Sequence, residues 1–130
     1  MDRRVYVLLL VLPLLAVFTA SPAFSETMTV TGTIKGAACV INGTACADSA
    51  VDPKVSLERD FVLVADNGET YFLSNMNRGA KQKLVNKEVE VAGSVNDKNM
   101  FVHNVDTMMM GGMMSVWNWD QRVRNLRHPR

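Results

Sequence analysis

Residues 61–74 have the sequence FVLVADNGETYFLS, in which two apolar runs are separated by a short polar segment. Each run, 61–65 and 70–74, has the length and composition of a β-strand. The Asn67-Gly68 pair between them is a strong hairpin signal, because these residues accept the left-handed backbone of tight turns. We therefore predict a β-hairpin. The continuous hydrophobicity of its strands indicates burial on more than one face, as in a closed or nearly closed sheet.

The segments on either side of this hairpin predict three more strands and one helix. Residues 27–35 alternate and are rich in β-branched side chains, and residues 88–95 and 100–105 form a second alternating pair around a polar turn. Residues 75–86 space their apolar side chains helically among basic ones, which favours a short amphipathic helix. The acidic and basic residues of 48–60 indicate a solvated connection into the hairpin.

The order strand, strand, strand, short helix, strand, strand resembles an OB-fold, a small five-stranded Greek-key barrel. The segment LVNKEVEVAG, residues 84–93, resembles the helix-to-strand-four passage of small exported bacterial OB-fold proteins, and the resemblance covers residues 27–105. It implies a mainly β barrel with one helix between strands three and four, and it assigns no activity. The alternative is a small immunoglobulin-like sandwich, which requires more strands and no helix.

Residues 1–25 have the three parts of a secretory signal peptide. Arg3 and Arg4 form the positive start, residues 5–20 the apolar core, and Ala23 and Ser25 the small residues that signal peptidase inspects. We predict cleavage before Glu26 and an exported protein, periplasmic or secreted. The alternative is an uncleaved membrane anchor, although the core is shorter than the roughly 20 residues that span a bilayer.

The charge balance argues against nucleic acid as a partner. The chain has 14 basic and 13 acidic side chains, and removal of residues 1–25, which contain Asp2, Arg3 and Arg4, leaves 12 of each. A neutral chain lacks the excess of Lys and Arg that phosphate binding requires. Its length suits one barrel domain, residues 26–106, followed by a C-terminal extension, residues 107–130.

The two cysteines, Cys39 and Cys46, flank VINGTA at residues 40–45. A two-residue turn at Asn42-Gly43 would place them directly opposite each other in a hairpin, with Cα atoms about 5.5 Å apart, which suits a disulfide. We predict a structural disulfide, which an oxidising compartment favours. A redox or metal pair is the alternative, but the spacing is not Cys-x-x-Cys and no His or further Cys lies nearby in the sequence.

Five methionines lie within seven residues just after the last predicted strand. We call them the Met cluster: Met108, Met109, Met110, Met113 and Met114. Methionine is flexible and apolar, so one interpretation is packing over a barrel end or an adaptable contact surface for a partner protein. The other is a Cu(I) or Ag(I) site, because thioethers are soft ligands, with His103 as an added imidazole. Its ingredients are similar to those of periplasmic copper-binding OB-fold chaperones, but those ligands lie on barrel strands, and no spacing carries over.

The end of the chain predicts a basic amphipathic helix from Ser115 onward. Its apolar face would dock on the barrel or on another protein, or lie on an anionic membrane surface. A strand extension, with Trp117 and Trp119 on one face, is the alternative. The predicted interaction residues are Val116, Trp117, Trp119, Arg122, Val123, Arg124, Leu126 and Arg127.

No catalytic pattern is evident in the sequence. His103 and His128 are its two imidazoles, and neither a nucleophile elbow nor a glycine-rich phosphate loop is present. We therefore predict a non-enzymatic binding or interaction module of unknown ligand, with no cofactor. The alternative is a Cu(I) or Ag(I) carrier centred on the Met cluster.

Overall fold

A computed structural model describes residues 26–128, so the predicted signal peptide lies outside the described residues. The described chain is mainly β, with six strands, three short α-helices and one 3₁₀ turn. In order these are β1 Glu26–Gly36, α1 Ala37–Asn42, the 3₁₀ turn Pro53–Leu57, β2 Phe61–Ala65, β3 Thr70–Leu73, α2 Arg78–Gln82, β4 Glu88–Asn96, β5 Asn99–Met109, β6 Gly112–Asn118 and α3 Trp119–Arg127.

Strands β1 to β5 form a closed barrel, which confirms the predicted fold class. The sheet order is β3-β2-β1-β4-β5-β6, and an additional parallel pairing between β3 and β5 closes the circle. The other pairings are antiparallel, and the helix between strands three and four is present as α2. The sixth strand, β6, extends the sheet from β5, whereas the sequence allowed a strand in this segment only as the alternative to a helix.

Strand β1 is tightly packed at Gly32. This residue pairs with Ala65 of β2 on one side and with Val89 of β4 on the other, so both neighbouring strands crowd its backbone. A Cβ atom added to Gly32 would lie 2.2 Å from the Val64 carbonyl oxygen. Only glycine therefore fits at this position of β1, where a neighbouring backbone approaches closely.

The closure between β3 and β5 is completed by an asparagine side chain. The Asn75 amide accepts a hydrogen bond from the Val102 N–H and donates one to the Val102 carbonyl, both at 2.7 Å. It thereby continues the ladder that the parallel pair Leu73 and Met100 begins. Because closure satisfies these backbone groups, this part of β5 has no open edge.

The barrel interior is apolar and is formed by side chains from all five barrel strands. Each strand contributes side chains that face inward, as the period of two in the sequence predicts. The fully buried ones include Ile34, Phe61, Leu63, Leu73, Val89, Val91, Met100, Val102 and Val105. Thr107, which pairs with Val89 of β4, and Trp117 of β6 are buried at one end of this core.

The predicted hairpin at residues 61–74 is present as β2 and β3, with Leu63 opposite Tyr71. Its turn differs from the two-residue form that Asn-Gly favours. Gly68 has a positive φ of 87°, whereas Asn67 does not, and the Asn67 side chain accepts a hydrogen bond from the Glu69 N–H instead. The connection is therefore a four-residue turn.

The predicted disulfide between Cys39 and Cys46 is present, with Cα atoms 5.3 Å apart, but the predicted hairpin around it is wrong. Residues 37–42 form helix α1, and Gly43 ends that helix with φ 67° and donates its N–H to the Cys39 carbonyl. An Asn-Gly pair suits a helix C-terminus as well as a hairpin turn, because both need a left-handed residue. Cys46 follows in the next loop.

The connection from α1 to β2 is held by buried polar groups that sequence reasoning assigned to solvent. The Glu58 carboxylate is buried and accepts hydrogen bonds from the backbone N–H groups of Ala38 and Cys39. The Arg78 guanidinium donates to the carbonyls of Val55 and Glu58. The buried Lys81 ammonium lies 2.5 Å from an Asp60 carboxylate oxygen. These contacts fix the loop against α1 and α2.

The predicted boundary at residue 106 falls inside a strand. β5 continues through Asp106 to Met109, and β6 turns back to pair with it. The predicted extension, 107–130, is therefore sheet up to Asn118, and the helix covers only Trp119–Arg127. Of the predicted interaction residues, Val116 and Trp117 lie on β6, and Trp119 begins the helix.

Candidate functional site

The Met cluster lies on a β-hairpin that projects beyond the barrel. We call residues 107–118, the end of β5 together with β6, the Met hairpin. Gly111 has a φ of 95°, which only glycine adopts readily, and it forms the tight turn with Met110. The five methionine side chains are 47–102% exposed, with Met110 at the tip the most exposed. A single exposed apolar side chain is common, but five neighbouring ones are unusual.

The register of the hairpin divides the Met cluster between two faces. Met109 pairs with Gly112 across the turn, Met108 with Met113, and Thr107 with Met114. Residues opposite each other share a face and successive residues alternate, so Met108 and Met113 lie on one face and Met109 and Met114 on the other. The structure therefore does not gather the five thioethers into one site. The five methionines are instead divided into one pair on each face, with Met110 alone at the turn.

Met108 and Met113 are the closest of these pairs. Because Met109 and Gly112 flank a two-residue turn and form a hydrogen-bonded pair, the next pair is not hydrogen-bonded, with Cα atoms about 4.5 Å apart. Both methionines line a depression of about 210 Å³, which Glu88 and Glu90 of β4 also border. Two thioethers and two carboxylates thus share one concave surface.

The other face of the hairpin borders a larger and shallower depression. Met109, Met110 and Val116 line it together with Leu84 and Lys87, and its volume is about 550 Å³. Met108, at the junction, borders both depressions. The lining is mostly apolar and open to solvent. An adaptable apolar surface of this kind suits a protein segment better than a small polar ligand.

His103 is not brought to the Met cluster. It lies five residues before Met108 on β5, which corresponds to roughly 16 Å along an extended strand. Its Nε2 atom lies 3.0 Å from the Ser94 hydroxyl, and its ring meets the edge of Phe101. Within residues 26–128, no three His, Cys, Asp or Glu side chains are grouped so as to hold a metal ion. Any soft-metal site on the hairpin therefore depends on thioethers alone for its soft ligands.

The two tryptophans have different roles in the described chain. Trp117, opposite Val105, is buried in the core, and its indole N–H has no hydrogen-bond partner among the described residues. Trp119 packs edge-on against Phe101, with ring centroids 5.2 Å apart. Trp117 therefore anchors β6 to the barrel, and Trp119 turns helix α3 back over β5.

Helix α3 is held at its start and exposed along most of its length. Asn118 caps it by accepting a hydrogen bond from the Gln121 N–H. Val123 is half-buried, whereas Leu126 is 78% exposed and Arg122, Arg124 and Arg127 all face solvent. The predicted apolar face thus docks on the barrel only through its first turns, and the basic side chains remain free of described ion pairs.

A polar network on the outward face fixes the base of the Met hairpin, and no sequence pattern predicted it. The Asn104 side chain donates to Asp106 and accepts a 2.7 Å hydrogen bond from the Ser115 hydroxyl. Asn118 also donates to it. These side chains lie on two strands whose pairing was not predicted. The register shifts beside this network, where β6 has Val116 as an extra residue, and Trp117 thereby returns to the buried face.

A comparison of the chain with models of known protein families found no match, and neither did searches of curated proteins and of solved structures. No helix within residues 26–128 is both long and apolar enough to cross a bilayer.

Proposed function

We propose that this protein is an exported, non-enzymatic binding module of the OB-fold type, and that its Met hairpin contacts a partner protein. The observation that carries the proposal is the exposure of five methionines on a projecting hairpin. No charged side chain occurs between Asp106 and Asp120, so the hairpin is apolar or neutral throughout. Exposed apolar surface of this extent is typical of interaction sites.

The barrel supplies a rigid base for this surface. Trp117 and the Asn104 network tie β6 to β5, so the hairpin is ordered before a partner binds and loses little backbone entropy on binding. Methionine side chains, by contrast, retain several rotatable bonds and fit irregular partners. The arginines of α3 lie beyond the base of the hairpin, where they would form a polar rim.

Export and the OB-fold assignment rest on separate observations. The predicted signal peptide is supported by the Cys39–Cys46 disulfide, since such bonds persist in oxidising compartments. The closed five-stranded barrel with a helix between β3 and β4 supports the OB-like assignment.

The proposal is tested by photo-cross-linking in cells of the source organism. A photoreactive residue at Met110 should yield an adduct of one defined added mass, while the same residue at Val51, which is 90% exposed in a loop, should not. Excess wild-type protein should compete for the partner, and a variant with Met113→Asp and Met114→Asp should not, because buried charge opposes apolar docking. Equal labelling at Met110 and Val51 would contradict the proposal.

A Cu(I) or Ag(I) carrier is the second candidate function, and the direct opposition of Met108 and Met113 favours it. Two thioethers about 4.5 Å apart at their Cα atoms can meet one soft ion without deprotonation. Titration with Cu(I) against a competing chelator tests it. Replacement of Met108 and Met113 with Leu should then abolish one-to-one binding, while Met110→Leu should leave it unchanged. Equal affinity of all three proteins would exclude this site.

A further inference from the structure

The outer edge of β6 is an open sheet edge. β6 is the last strand in the sheet order, and within residues 26–128 it pairs with β5 only. Helix α3 does not cover it, because Trp119 turns the helix back onto Phe101 of β5. Residues 113–116 are exposed. An edge of this kind offers unpaired backbone N–H and C=O groups to another strand.

This edge lacks the features that usually prevent strand pairing. Its sequence is GMMSVWN, with no proline, no lysine and no other charged residue. Natural edge strands are commonly protected by such residues. The one irregularity in its pairing is the extra residue Val116, which lies in the second half of the strand and leaves residues 112–115 regular.

The hairpin register shows which backbone groups face outward. Met109 pairs with Gly112 and Thr107 with Met114 as hydrogen-bonded pairs, so Gly112 and Met114 direct their backbone groups toward β5. Met113 and Ser115, the residues between and after them, direct their N–H and C=O groups away from β5. The open edge therefore has its donors and acceptors on two residues that are symmetric about Met114.

We propose that this edge pairs with the same edge of a second copy of the chain. An antiparallel β6–β6 contact centred on Met114 places Met113 of each copy opposite Ser115 of the other, so that all the outward groups of these residues find partners. The strand is uncharged, so two copies meet without like-charge repulsion. A two-fold contact of this kind is self-complementary and closes after two subunits.

Pairing through the edge leaves both faces of each Met hairpin exposed. The two Met108–Met113 faces would lie side by side in one continuous sheet, and the dimer would present two contact surfaces to a partner at once. Bivalent display raises the apparent affinity for a partner that carries two sites. The inference does not depend on the proposed function, because it rests on backbone groups and not on the methionine side chains.

Analytical ultracentrifugation of protein expressed from the full-length sequence tests the inference. Wild type should be a concentration-dependent dimer. Ser115→Pro removes an outward N–H and leaves the β5 ladder intact, so the dimer dissociation constant should rise at least about tenfold, since two symmetric hydrogen bonds are lost. The matched control is Ser115→Ala, which loses the same hydrogen bond to Asn104 and keeps the N–H. It should dimerise like wild type.

A second variant tests the register even if Ser115→Pro fails to fold. Met114→Cys places two thiols opposite each other at the two-fold axis, within the distance that a disulfide tolerates. It should form a covalent dimer under mild oxidation, whereas Met110→Cys, at the more exposed tip, should not. A wild-type protein that is monomeric at all concentrations, or equal cross-linking by both variants, would overturn the inference. A heterologous adduct at Met110 from a monomeric protein would still support the proposed function.

Discussion

At the scale of single residues, Gly32 is a position at which the fold leaves no room for a side chain. Two strands flank its backbone, and the Val64 carbonyl occupies the space where a side chain would begin. Glycine is required at position 32 because a side chain would not fit, and not because of an unusual backbone angle, since Gly32 is not among the residues with positive φ. A sequence pattern of alternating Thr and Val cannot reveal such crowding, because the neighbour comes from a different strand.

We predict that Gly32→Ala lowers the free energy of unfolding by about 2–3 kcal/mol, because its Cβ overlaps backbone that cannot move without distorting β2. Gly79→Ala is the matched control. It lies in α2, where the added Cβ meets nothing closer than 3.7 Å, and it should be neutral or stabilising by up to about 1 kcal/mol. Urea denaturation measures both. A Gly32→Ala protein as stable as wild type would show that β2 does not approach Gly32 this closely.

At the scale of elements, the disulfide fastens α1 to the loop that follows it. The cysteine spacing was sufficient to predict the bond, because a hairpin, or a short helix that ends in a reversing loop, can bring residues seven apart within bonding distance. The cysteine spacing was not sufficient to predict that residues 37–42 form a helix and not a hairpin strand. The deciding contact is the buried Glu58 carboxylate, 19 residues from Cys39, which binds the first N–H groups of α1.

We predict that the double substitution Cys39→Ser and Cys46→Ser lowers the free energy of unfolding by about 2.5 kcal/mol, the value expected for so short a loop. The barrel should remain folded, because its closure depends on β3–β5 pairing and not on α1. Amide hydrogen exchange should accelerate in residues 37–46 and stay slow in β4 and β5. Loss of protection throughout the barrel would show instead that the bond supports the whole fold.

The C-terminal elements were the hardest to predict. Val116, Trp119 and Val123 fit a helical spacing, and the same segment also allows a strand with Trp117 and Trp119 on one face. The structure uses both forms in succession, with β6 ending at Asn118 and α3 beginning at Trp119. The choice is made by β5, whose second half pairs with β4 on one side but has no barrel strand on the other side, where β6 pairs with it.

At the scale of the whole molecule, one strand joins the barrel closure to the proposed contact surface. The first part of β5 closes the barrel through β3 and Asn75, and its last part carries the Met hairpin. The barrel could be predicted because buried strands leave a period of two in the sequence. The arrangement of the methionines could not, because composition does not specify which faces of a hairpin they occupy.

We propose that the Met hairpin contacts a partner and contributes little to the stability of the fold. The most direct test replaces the whole Met cluster with threonine, which keeps strand propensity and removes the apolar surface. We predict a melting temperature close to that of wild type, together with loss of the photo-cross-linked adduct when the probe is placed at the exposed hairpin residue Val116. A large loss of stability would show that the methionines pack the barrel end, and an undiminished adduct would show that the partner binds elsewhere.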